Sequence, residues 1–84
     1  MKPVDFPGCN VTFAKDQPEY QPLPAIKINS PQGEVISCWE LSDEEIERLK
    51  VTRKVYLSMW TFNNPLTPVI LTTDLNELVP ATAR

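Results

Sequence analysis

The residues from Pro24 to Asn29 alternate, with Ile26 and Ile28 on one side against Ala25, Lys27 and Asn29 on the other. This is the period of two of a half-buried strand. Glu34 to Glu40 alternates again, Val35, Ser37 and Trp39 against Ile36, Cys38 and Glu40, and carries apolar groups on both faces. Between them, Pro31 followed two places on by Gly33 predicts a turn, because proline presets one dihedral and glycine accepts a positive one. The two segments are therefore expected to pair antiparallel. Lys54 to Phe62 shows the strongest alternation in the chain, Val55, Leu57 and Met59 against Tyr56, Ser58 and Trp60. Asn63-Asn64-Pro65-Leu66 reads as a turn, and Pro68 to Thr73 as a strand returning on it, with Pro68 at the entry where a missing donor is tolerated. A shorter β-branched and aromatic stretch, Asn10 to Ala14, is a further strand candidate.

Only one segment has helical signals, and they are dense. In Leu41-Ser42-Asp43-Glu44-Glu45-Ile46, the Ser42 hydroxyl can accept from the Glu45 amide while the Glu45 carboxylate reaches back to the Ser42 amide. Leu41 can pack on Ile46 as a hydrophobic staple. Acids (Asp43, Glu44, Glu45, Glu47) precede bases (Arg48, Lys50, Arg53, Lys54), the order that complements the helix macrodipole, and Glu44 with Arg48 makes an i to i+4 pair. Leu41, Ile46 and Leu49 form the whole apolar stripe, so this helix lies on a surface, and β-branched Val51 and Thr52 set its end nearby.

Most of the nine prolines fall in the first third (Pro3, Pro7, Pro18, Pro22, Pro24, Pro31), where they remove donors and disfavour helix. The expected architecture is α+β: a small antiparallel sheet of about four strands in the order β-β-α-β-β, one amphipathic helix on one face, and a proline-rich arm. The whole chain, 1–84, is read as a single domain, with 1–23 as the extended arm and 74–84 as a loosely ordered tail holding at most a short helical turn.

Composition narrows the chemistry. At 84 residues with 42% apolar and 23% charged positions, the chain has a globular composition but room for only a small core. It contains no histidine, which removes histidine bases, histidine triads and most zinc and haem sites. A net charge of -3 leaves no global positive field for a nucleic-acid backbone, so nucleic acid is not an expected partner. The N-terminus lacks the apolar run of a secretory signal, so Cys9 and Cys38 are expected as free thiols in a cytoplasmic protein. The glycosylation pattern Asn10-Val11-Thr12 is then coincidental. No stretch reaches the length of a membrane span.

Several residue groups have both a chemical and a structural reading. Cys38 beside Trp39 lacks a base or cationic field to activate it, which favours a buried structural thiol over a nucleophile. The carboxylates of Asp43, Glu44, Glu45 and Glu47 point outward in different directions along a helix, which favours a solvated face over a cation site, and no metal ligands are assigned. Arg48, Arg53 and Lys54 could meet a ligand phosphate, although the macrodipole accounts for bases at a helix end. Gly8 and Gly33 are the only glycines, too few for a phosphate-cradling loop, and no cofactor is expected. The aromatic residues Trp39, Tyr56, Trp60 and Phe62 are the candidate interaction surface, since one thin helix cannot cover both faces of a sheet.

The string Cys38-Trp39-Glu40-Leu41-Ser42-Asp43-Glu44-Glu45, with Lys54-Val55-Tyr56-Leu57-Ser58, Pro65-Leu66-Thr67-Pro68-Val69 and the opening Lys2-Pro3-Val4-Asp5-Phe6, resembles small proteins of unassigned role encoded by bacteriophages and prophages of gut Bacteroidetes. The resemblance covers about residues 33 to 72 and the N-terminus and carries over no functional residues. Arg53 stands where that pattern has glycine, and Asn63-Asn64 replaces a glycine-richer turn. The resemblance implies a phage-encoded protein acting in the cytoplasm of a bacterial host. The expected function is a non-enzymatic interaction or assembly protein that binds a protein partner or itself, most simply as a two-fold dimer touching through Trp60, Tyr56 or an edge of the 54–73 hairpin. The alternative is a small-ligand binder, for instance of a nucleotide, in which a Trp or Tyr ring stacks on the ligand and Arg48, Arg53 or Lys54 meets its phosphate.

Overall fold

The structure, a computed structural model, describes residues 1–79. In chain order it contains β1 (Lys2–Val4), β2 (Val11–Phe13), β3 (Leu23–Lys27), β4 (Val35–Ile36), β5 (Cys38–Glu40), α1 (Asp43–Thr52) and a 3₁₀ turn, Leu75–Glu77. The fold is α+β with two small antiparallel sheets, one of β1 and β5, the other in the order β2-β3-β4. Of the tail expected over 74–84, the 3₁₀ turn begins after Asp74, whose side chain accepts from the Asn76 amide. Residues 80–84 lie outside the described residues.

The turn over Asn29–Gly33 joins β3 to β4 as its residue types require. Gly33 sits at φ +61, its amide donates to the Ser30 carbonyl at 3.0 Å and the Ile28 amide donates to the Glu34 carbonyl at 2.9 Å. The register pairs Ile26 with Ile36 and Lys27 with Val35. The strand expected over 34–40 is divided at Ser37: β4 pairs with β3, whereas β5 pairs with β1, setting Val4 opposite Cys38 and Lys2 opposite Glu40. A strand with apolar groups on both faces is thus accommodated by changing its partner halfway. Within the proline-rich first third, β1 and β2 are both paired, β2 to β3 with Val11 opposite Ala25. Asn10 prolongs that pairing by accepting from the Lys27 amide at 2.8 Å and donating to the Lys27 carbonyl at 3.0 Å.

The helix begins where its capping signals place it. Ser42 is the N-cap in extended conformation, both arms of the capping box are formed, and the chain leaves the helix at Arg53 in the left-handed region, φ +57. The Arg53 amide donates to the Leu49 carbonyl at 2.8 Å. The ion pair along the helix is Glu47 with Lys50 at 3.0 Å, in place of the expected Glu44–Arg48 pair. No helix residue is buried, as its narrow stripe implies. Among the described residues the buried apolar side chains are Ala25, Ile36 and Val79, a small core even for a chain of this length.

The order β-β-α-β-β requires correction, because all the strands precede the helix. Neither 54–62 nor 68–73 is a strand in the structure, and no hairpin joins them. A turn forms two residues earlier than the expected Asn63–Leu66: the Asn64 amide donates to the Thr61 carbonyl at 3.0 Å, and Phe62, expected to end the strand, and Asn63 both have positive φ, +52 and +66, as in the mirror-image turns that close two-residue hairpins. That turn fixes a register in which Pro68 faces Leu57 at a hydrogen-bonded position. Proline has no N–H to give there, so the ladder is interrupted at the point where it would have to propagate.

Candidate interaction surface

Beyond α1 the chain forms no strand or helix up to the turn at Thr61–Asn64, and its side chains alternate in exposure. Tyr56, Trp60 and Phe62 are 88%, 80% and 78% exposed, whereas Val55, Leu57 and Met59 are 50%, 52% and 38% exposed. The period of two read from the sequence is therefore present, with the aliphatic side half covered and the aromatic side almost entirely in solvent. The Trp60 and Phe62 rings meet edge to face with centroids 6.3 Å apart, a favoured aromatic geometry. No amide from Val55 to Trp60 donates a hydrogen bond to another described group. The return segment adds exposed Leu66, Val69, Ile70 and Leu71; sequence reasoning placed Leu66 in a turn and the other three in a paired strand rather than on the surface. The signal that marks them is charge: no Asp, Glu, Lys or Arg occurs from Val55 through Thr73.

The chain is more open than a compact domain of its size. The accessible surface is 7467 Å², against roughly 5,000 Å² expected for a compact 9.5 kDa chain. The radius of gyration is 14.4 Å, against about 12 Å for a compact domain of this length.

The fourth aromatic candidate stands apart. Trp39 lies on β5 opposite Pro3, is also exposed, and donates from its indole Nε1 to the Ser37 hydroxyl at 2.9 Å. The phosphate candidates Arg48, Arg53 and Lys54 are exposed around the end of α1. One surface concavity, about 450 Å³, is lined by Lys27, Ile28, Asn29, Ser30 and Gly33, and a second by Met1, Lys2, Glu40, Leu41, Ser42 and Glu45. Neither holds a candidate aromatic ring or one of those three bases.

Cys38 is half-buried rather than fully buried, and Cys9 likewise; both are free thiols. Partial burial pushes the Cys9 thiol above its ordinary pKa, and the neighbouring Asp5 adds to the shift. The carboxylates at the start of α1 are spread over separate tasks. Glu45 accepts from the Met1 ammonium, brought to it by the β1–β5 pairing, and from the Ser42 amide at 2.9 Å. These donors, the ammonium first, hold its carboxyl down to about 2. Among the described residues, no group of three or more carboxylates or thiols is placed to share a metal ion, and no helix is long and apolar enough to cross a membrane. No protein-family model, curated protein or solved structure matches this chain.

Proposed function

We propose that this chain is a non-enzymatic interaction or assembly protein that works by covering the uncharged apolar segment Val55–Leu71 against a protein surface. The observation that carries the reading is the exposure of that segment: an aromatic face and an aliphatic return segment, both in solvent, on a chain with three buried apolar side chains among the described residues. A sequence with no histidine and a net charge of -3 supports binding to protein rather than catalysis or nucleic-acid contact. The resemblance of Cys38–Glu45 and Lys54–Ser58 to small phage and prophage proteins supports a phage-encoded origin and a site of action in the bacterial cytoplasm. Small-ligand binding is the second reading: it would need a stacking ring and a phosphate-binding cation to converge, and the concavities at Lys27–Gly33 and Met1–Glu45 are lined by neither the candidate rings nor Arg48, Arg53 or Lys54.

The test is photo-crosslinking in the expressing cell with benzoylphenylalanine in place of Tyr56, and in place of exposed Asp16 as control. A discrete protein adduct from position 56 and none from position 16 is expected. No adduct at 56, together with a nucleotide that raises Tm at saturating concentration, would replace association with ligand binding.

A further inference from the structure

We draw no further inference here: the strongest candidate, the uncharged apolar surface patch of residues 55–71 that follows α1, belongs to the surface already described, and nothing in the structure shows what covers it.

Discussion

The two glycines allow backbone conformation to be separated from close packing. Both have positive φ, +99 at Gly8 and +61 at Gly33, but a Cβ added at Gly33 would meet nothing within 4 Å, whereas at Gly8 it would lie 3.1 Å from Ile26 Cδ1. Gly33→Ala therefore carries only the left-handed cost of about 1–2 kcal/mol. Roughly 0.4–1 kcal/mol of this is offset because alanine has less freedom to lose from the unfolded chain, leaving a destabilisation of about 1 kcal/mol. At Gly8 the φ lies beyond the left-handed well that alanine tolerates, and the Ile26 side chain, on a strand whose neighbour Ala25 is fully buried, must also give way by a few tenths of an ångström. We expect about 2 kcal/mol. Gly8 is held in place on both sides, by the Cys9 amide on the Phe6 carbonyl at 3.2 Å and the Asn10 amide on the Ala25 carbonyl at 3.0 Å, so the loop has little room to relax. Urea unfolding at one fixed protein concentration, with a slope near 1 kcal/mol per molar for a chain this small, should show midpoints lowered by about 1 M for Gly33→Ala and about 2 M for Gly8→Ala. A Gly33→Ala loss equal to or greater than the Gly8→Ala loss would refute the argument, since it would mean that the Ile26 contact contributes nothing.

Arg53→Gly should stabilise the protein by roughly 0.5–1 kcal/mol, because Arg53 holds the left-handed helix exit at φ +57 that glycine occupies without steric cost; a Tm raised by roughly 2–8 °C is the readout, and an unchanged or lowered Tm would contradict it. Glu45 has its folded pKa depressed from 4.5 to about 2, so its contribution is fully present above about pH 4.5 and is lost as the pH falls toward 2. Wild type should accordingly lose stability relative to Glu45→Gln across that window, and a stability difference that stays constant from pH 6 to pH 2 in thermal melts would rule out the linkage.

What the sequence determined by itself is what closes over a few residues. The Ser42–Glu45 capping box needs donors and acceptors three positions apart, and the Pro31–Gly33 turn needs one preset and one positive dihedral. Both therefore appear in the structure where their residue types put them. The alternation of Val55 to Trp60 was equally legible and survives as alternating exposure. Tertiary structure decided everything that depends on which strand finds which. A period of two states that a backbone is extended and which side is apolar, but carries no address for its partner. The β1–β5 pairing joins Lys2 to Glu40 across most of the described strands. It divides the 34–40 segment at Ser37 and brings the Met1 ammonium to Glu45, none of which has a local signature. The hairpin failed for a reason between these two extremes. Its turn and both its strands satisfy local rules, but the register imposed by the turn brings Pro68 to a position that needs a donor, and the aromatic face that would have been sheet surface stands in solvent.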